Sequence, residues 1–214
     1  MISNLEKKVR TTQRFKFDLS AQQALDLLTQ AYINLVDGRF GKVVMDEYTQ
    51  RSLIAMAEAL TAEEPKFGLW LYGEPGNGKT TLMRAFMQVF HFLKDRRHFA
   101  FMGEYWKPVL RFKTAKEIVD IRKEKPRDFY DLAEEYVLCI DDVGTEPAEI
   151  QDFGNIITPM VDLLLVRYDM RLFTIVTSNI APEKIKERYG ARISDRCREM
   201  FVPIRFNGPT YRFK

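Results

Sequence analysis

The sequence has few of the residues that mark secreted, metal-binding or membrane proteins. Its 214 residues include only two cysteines and two histidines. Two cysteines cannot build a disulfide framework, and two histidines leave little for a metal site of the Cys/His kind. No apolar run approaches the ~20 residues of a membrane span, and residues 1–6 lack the apolar segment of a signal peptide. The sequence therefore predicts a cytoplasmic protein without membrane contact.

The charge balance is also unremarkable for a globular chain. Charged residues make up 29% of the sequence, and the formal net charge is +3, so bulk electrostatics do not by themselves indicate a nucleic-acid binder. With 46% hydrophobic residues, the chain is long enough to bury one sizeable core. We expect one α/β domain with a small appendage.

The most informative motif is a phosphate loop of the form G-x-x-x-x-G-K-T at residues 73–80. Its glycines let backbone N–H groups point at phosphate oxygens, and the helix that follows presents the positive end of its dipole. Lys79 is predicted to reach the β and γ phosphates, and the Thr80 hydroxyl to complete the shell of a Mg²⁺ ion. The predicted nucleotide-binding residues are Gly73, Glu74, Pro75, Gly76, Asn77, Gly78, Lys79, Thr80 and Thr81.

Apolar runs predict five strands interleaved with helices, which indicates a parallel sheet covered on both faces. The predicted strands are residues 67–72, 109–112, 136–140, 172–176 and 202–206. The helices expected between and around them are residues 20–38, 46–60, 114–123, 152–167, 183–189 and a last one ending at 200, with a capping box at 114–117 and Pro182 at a helix start. Ligands bind beyond the carboxyl ends of such strands.

Two basic segments are candidates for partner contact. Residues up to about 18 are polar and basic, which predicts a mobile or partner-bound arm, although a solvated tail explains them equally well. Residues 91–108 interleave cations with aromatic side chains, a pattern that suits stacked bases, although aromatic core residues beside a basic face explain it better. We divide the chain into a basic arm with a helical partner-binding segment, 1–44, and an ATPase domain, 45–214.

Carboxylates and an amide follow two of the predicted strands. Asp141 and Asp142 come directly after an apolar run, so Asp141 is expected beside Mg²⁺, and Asp142 is expected to orient and deprotonate the attacking water. Asn179 ends the next buried strand, where its amide would hold that water in line; Asn is otherwise a common turn residue.

The order of these motifs resembles the AAA+ ATPases that load bacterial replicative helicases, the DnaC/DnaI type, and is similar to the IstB type that assists transposases. The resemblance covers about residues 45–214. It rests on the phosphate loop followed by Asp-Asp-Val-Gly at 141–144, Thr-Ser-Asn at 177–179, Arg-Ile-Ser-Asp-Arg at 192–196 and Thr-Tyr-Arg at 210–212.

The resemblance implies roles for three arginines. Arg196 matches the arginine finger that reaches the ATP of the next subunit, with Arg192 as the runner-up in the same helix, and Arg212 matches the second sensor, which acts in cis. It also implies that Asn179 is the first sensor and that the protein associates with itself through its ATP sites. The base position more often holds Glu in this family, so the shorter Asp142 predicts slow hydrolysis.

Several functions fit these motifs. The leading prediction is an ATPase that places a ring-shaped replicative helicase on single-stranded DNA. The alternatives are a transposition ATPase that binds DNA and recruits a transposase, a small-molecule nucleotide kinase, and a scaffold that binds ATP without hydrolysing it. A GTPase is less favoured, because the sequence has no Asn-Lys-x-Asp guanine-reading motif.

Overall fold

A five-stranded parallel sheet forms the centre of the protein. The computed structural model describes residues 14–40, 43, 45–94, 99, 109–152 and 154–211. The sheet strands are β1 (Gly68–Gly73), β2 (Leu110–Thr114), β3 (Val137–Val143), β6 (Phe173–Ser178) and β7 (Val202–Phe206). They pair in the order β2-β3-β6-β1-β7, and every neighbouring pair is parallel. All five predicted strands are therefore confirmed.

Helices cover both faces of this sheet, as the apolar strands require. One face carries α1 (Ala21–Phe40), α2 (Glu47–Thr61) and α3 (Lys79–Lys94), whose apolar residues form one core cluster with Leu71, Cys139 and Ile175. The other face carries α4 (Ala115–Glu124), α5 (Pro126–Ala133), α6 (Pro159–Asp169), α7 (Ile185–Tyr189) and α8 (Ala191–Met200). Trp70, Ile140 and Val176 point into that second core. The predicted α/β class is confirmed.

Local signals fix most helix starts where the sequence predicted them. Thr114 and Glu117 form the expected capping box at the start of α4. The Asp46 side chain caps α2 by accepting from the Thr49 amide at 2.9 Å. Pro182 opens the single 3₁₀ turn that precedes α7. The first helix extends to Phe40, two residues beyond the predicted end near Gly38.

The helix predicted from Asp152 begins too early. Residues there form a small antiparallel hairpin of β4 (Ile150–Asp152) and β5 (Asn155–Ile157). Gly154, with φ of +84°, lies in its turn, and Pro159 occupies the first turn of α6, which is where a helix tolerates proline. The turn and the proline therefore exclude a helix across 152–158.

The end of the N-terminal arm belongs to the core, which corrects the prediction of a polar arm up to residue 18. Phe15 and Phe17 are buried; Phe15 lies 4.4 Å from Phe173 between ring centroids, and Phe17 stacks on Phe86 at 5.9 Å. Helix α1 joins the same core cluster. The division placed near residue 44 therefore separates segments that share one core, and residues 1–13 lie outside the described part.

The basic and aromatic stretch at 91–108 is described only for residues 91–94 and 99. There, Phe99 packs against Phe90 at 5.0 Å between ring centroids and pairs its backbone with Phe17. This residue packs against the protein interior. Phe92, in contrast, is exposed on α3. The remaining cations and aromatic residues of the predicted base-stacking segment lie outside the described residues.

Candidate functional site

The phosphate loop lies between β1 and α3, at the carboxyl edge of the sheet. Gly76 and Gly78 have φ of +84° and +96°, a region that glycine adopts without strain. Lys79 begins α3 and is 5% exposed; its Nζ donates to the carbonyl oxygens of Gly73 and Glu74 at 2.7 and 2.8 Å. The predicted loop thus forms. The Lys79 ammonium lies on the inner, concave side of the loop, where a phosphate would be bound.

The last strand and the segment after it hold this loop from behind. Asn77 donates from its amide to the Phe206 carbonyl oxygen at 2.9 Å, and the Tyr211 backbone amide donates to the Gly76 carbonyl oxygen at 2.9 Å. A Cβ at Gly73, which has φ of +147°, would lie 2.0 Å from the Phe206 oxygen. Only glycine permits this close approach, so the loop and β7 form one rigid unit.

Thr80 and Asp141 meet across the sheet edge although they lie 61 residues apart in sequence. The Thr80 hydroxyl donates to Asp141 Oδ1 at 2.9 Å, and the Thr177 hydroxyl donates to the same oxygen. Hydroxyl and carboxylate oxygens are the ligands that Mg²⁺ prefers, with phosphate and water oxygens completing the shell. Within the described ranges, no group of three or more His, Cys, Asp and Glu gathers as a metal site. The donor set fits a Mg²⁺ ion shared with phosphates.

The two aspartates form a β-bulge in β3. Ile140 pairs with Val176 and Val143 with Ser178, so Asp141 and Asp142 together oppose a single residue of β6. Asp142 has φ of +60°, which Asp tolerates better than most residues. As a result, Asp141 is buried against Thr177, whereas Asp142 is exposed at the sheet edge. The bulge gives the two carboxylates the two environments that their predicted roles need.

Asn179 follows β6 directly and is exposed. Strand β6 lies between β1, which leads into the phosphate loop, and β3, which carries the two aspartates near its carboxyl end. The carboxyl ends of these three parallel strands meet at one edge, so the fold brings Lys79, Asp142 and Asn179 to the same part of the molecule.

The predicted arginines are placed differently from one another. Arg192 is exposed in the first turn of α8. Arg196 lies further along α8, with its guanidinium 4.9 Å from the centre of the Tyr168 ring and Nη1 3.7 Å from the Asp169 carboxylate. This Nη1 is buried and has no hydrogen-bond partner among the described residues. Arg212 lies outside the described part of the chain.

A small pocket adjoins the phosphate loop on the side of α1 and α2. Its lining includes Tyr32, Tyr48, Asn77, Leu82 and Tyr211.

Tyr211, which lines this pocket, donates from its hydroxyl to Asp46 Oδ2 at 2.6 Å. Burial, and then the hydrogen bond to Asp46, raise the pKa of Tyr211 to about 12, so the hydroxyl stays protonated at neutral pH. The segment containing Tyr211 thereby links the phosphate loop to the start of α2.

Sequence reasoning missed three residues that hold the site together: Asp46, Thr177 and Tyr211. Thr177 and Tyr211 stand inside motifs that the sequence singled out, at 177–179 and 210–212, which is the only signal that pointed to them. Asp46 was predicted only as a helix start.

The phosphate loop, the two carboxylates near the end of β3 and the intervening strand β6 define a P-loop NTPase of the AAA+ type. Within that class the chain belongs to the AFG1-like ATPase family, whose model matches residues 2–193. The fold and family are those of nucleotide-hydrolysing enzymes. No helix in the described ranges is long and apolar enough to cross a bilayer.

Solved structures support the same fold. A crystal structure of DnaI is 23% identical over 79% of this chain and 87% of that chain, with a TM-score of 0.56. A putative primosome component from Streptococcus pyogenes serotype M3 is 19% identical over 79% and 85%, with a TM-score of 0.54. The replication initiator DnaA bound to AMPPCP and single-stranded DNA is 19% identical over 78% and 50%, with a TM-score of 0.52. Comparison with curated protein sequences gives no match.

Proposed function

We propose that the protein is a cytoplasmic ATPase that uses ATP and Mg²⁺ to place a ring-shaped replicative helicase on single-stranded DNA. The observation that carries the ATPase part is the contact between Thr80 and Asp141 beside the phosphate loop, with Asp142 and Asn179 at the same sheet edge. The loader part is supported by the order of the motifs from the phosphate loop to residues 210–212.

The loop binds the triphosphate through backbone amides and through Lys79. The Lys79 ammonium exchanges the carbonyl oxygens of Gly73 and Glu74 for phosphate oxygens, which accept stronger, charge-assisted hydrogen bonds. Thr80 and Asp141 would hold Mg²⁺, which would supply positive charge beside the phosphates when bound. The Thr177 hydroxyl fixes the Asp141 carboxylate by donating to it.

Asp142 acts as the general base. Its exposed carboxylate accepts a proton from the attacking water, and its backbone amide is fixed by donating to Thr177 Oγ1 at 2.9 Å. Asn179 orients the same water from the neighbouring strand. Since the Asp142 side chain is one methylene shorter than Glu, we expect slow turnover.

Arg196 completes the site of a neighbouring subunit, and Arg212 contacts the nucleotide of its own subunit. Within the described part of the chain, Arg196 packs on the Tyr168 ring and forms an ion pair with Asp169, whose side chain is 65% exposed. Exposed ion pairs contribute little, so a phosphate on another subunit competes readily for this guanidinium.

We expect Arg196→Ala to leave ATP affinity unchanged and to lower kcat by roughly 10³-fold, the range seen for arginine fingers. Arg198→Ala, which removes an exposed arginine of the same helix that pairs with Asp195 at 3.3 Å, is the matched control, and we expect it to change kcat only slightly. Affinity is measured with a fluorescent ATP analogue and kcat by phosphate release at high protein concentration. Normal turnover in the Arg196 variant would remove the role in trans and favour a monomeric enzyme.

The loader role predicts a specific partner and a specific stimulus. In pull-downs with ATP, the protein should retain a replicative helicase and not a transposase, and single-stranded DNA should change its ATPase rate. Duplex DNA of the same length and sequence is the control ligand. Capture of the transposase together with a response to duplex DNA would instead support the transposition ATPase, and a rate indifferent to DNA with no captured helicase would contradict the loader role.

A further inference from the structure

Glu146 is a buried carboxylate in the loop that follows the two aspartates. Its side chain is 0% exposed. A buried carboxylate is tolerated only with hydrogen-bond and charge partners. Glu146 has both: its Oε2 accepts from the Gly144 amide at 2.7 Å, its Oε1 accepts from the Tyr189 hydroxyl, and the same Oε1 lies 3.8 Å from Arg188 Nη2.

On one side, these contacts fix the turn that carries Asp142. Thr145 donates to the Asp142 carbonyl oxygen from its hydroxyl at 2.7 Å and from its amide at 3.2 Å. Gly144, which donates to Glu146, has φ of +100°, and a Cβ there would lie 2.3 Å from Ile180 Cδ1. The backbone after Asp142 has therefore little freedom while Glu146 stays in place.

On the other side, the contacts reach the end of α7, the helix that precedes the one carrying Arg196. Arg188 also donates to the backbone carbonyl oxygen of Glu146, and its guanidinium lies 5.4 Å from the centre of the Tyr189 ring. Arg188 and Tyr189 end α7, and Gly190 joins them to α8. Burial, and then Glu146, raise the pKa of Tyr189, so its hydroxyl remains a donor. The Glu146 carboxylate thus contacts the turn after Asp142 through Gly144, and the end of α7 through Arg188 and Tyr189.

We propose that Glu146 is a positioning residue that couples the turn carrying Asp142 to the helix carrying Arg196. The inference rests on the proposed function. In that function Asp142 is the catalytic base of its own subunit, and Arg196 acts in the site of the neighbouring subunit. When α8 shifts on contact with a neighbouring nucleotide, Tyr189 and Arg188 carry that shift to Glu146, and Glu146 carries it to the Asp142 turn. Binding of ATP in one site thereby adjusts the base of another.

Two variants test this coupling. Glu146→Gln removes the charge and keeps an acceptor, and Tyr189→Phe removes one hydroxyl from a buried ring. We expect each to leave the Kd for an ATP analogue within about twofold and to lower kcat roughly 10-fold, as loss of supporting contacts commonly does. Tyr130→Phe, which removes an exposed hydroxyl from α5, is the control and should match the wild type.

A double-mutant cycle separates coupling from simple structural support. Single-turnover rates are compared for Tyr189→Phe, Arg196→Ala and the double variant, with thermal unfolding measured for each. Coupling predicts that Tyr189→Phe has no further effect once Arg196 is gone, because the two losses are not independent. Multiplied losses, an unchanged kcat, or a loss explained by the unfolded fraction would each overturn the inference. A wild-type protein without ATPase activity would instead overturn the proposed function itself.

Discussion

Replacing Lys79 with alanine should abolish detectable ATP binding. The Lys79 ammonium lies within the loop and donates to the carbonyl oxygens of Gly73 and Glu74. Within the described loop, it is the cation that would contact the phosphates. Charge-assisted hydrogen bonds contribute about 1.5–3 kcal/mol each, so losing two of them weakens binding by at least about 100-fold. Titration calorimetry with ATP and Mg²⁺ measures the effect.

Lys113→Ala is the matched control for this experiment. Lys113 is a partly exposed lysine that forms an ion pair with Glu117 at 3.4 Å, on an edge strand of the sheet. Its loss should leave ATP affinity unchanged. Circular dichroism confirms that the Lys79 variant is folded. Wild-type affinity in a folded Lys79→Ala protein would mean that the loop binds its ligand without the lysine, which would contradict the assignment of the site.

Asp142→Asn should retain ATP binding and lose turnover. The amide cannot accept a proton from the attacking water, and general-base catalysis contributes about 10²–10⁴-fold to rates. Asn suits this position structurally, because it tolerates the φ of +60° as well as Asp does. We therefore expect kcat to fall on the order of 10³-fold without a loss of stability.

The kcat of this variant is measured by phosphate release and its stability by urea unfolding. Asp131→Asn, an exposed aspartate on α5, serves as the control for the loss of one negative charge. If Asp142→Asn turned over ATP at the wild-type rate, another group would have to activate the water. Asp142 would then be a strand end only, and the bulge that exposes it would have no catalytic meaning.

The centre of the sheet could be predicted because β1, β3 and β6 are short, largely apolar runs that end in polar residues or glycine. The hairpin of β4 and β5 could not, because its strands are three residues long each and its sequence has no alternation to distinguish it from a helix start. The burial of Phe15 and Phe17 could not be predicted for a similar reason. Two aromatic residues among lysines and arginines do not reveal that they reach Phe86 and Phe173.

The candidate site likewise contains residues that the sequence could predict and residues that it could not. The motif residues Lys79, Thr80 and Asp141 could be placed from sequence, because their spacing around strand ends is a local property. The residues that hold them could not: Tyr211 reaches Asp46 over 165 positions, and Tyr189 reaches Glu146 over 43. A tyrosine that donates to a distant carboxylate has the same local sequence as any other tyrosine, so such contacts follow from tertiary packing alone.

The contact between Asn77 and Phe206 joins positions that lie 129 residues apart. During synthesis, the phosphate loop therefore leaves the ribosome long before β7 exists to support it. A nascent chain that has exposed Lys79 lacks the strand against which Gly73 packs and the Tyr211 amide that binds Gly76. The earliest motif of the chain is thus among the last to gain the contacts that hold it in the shape that binds phosphate.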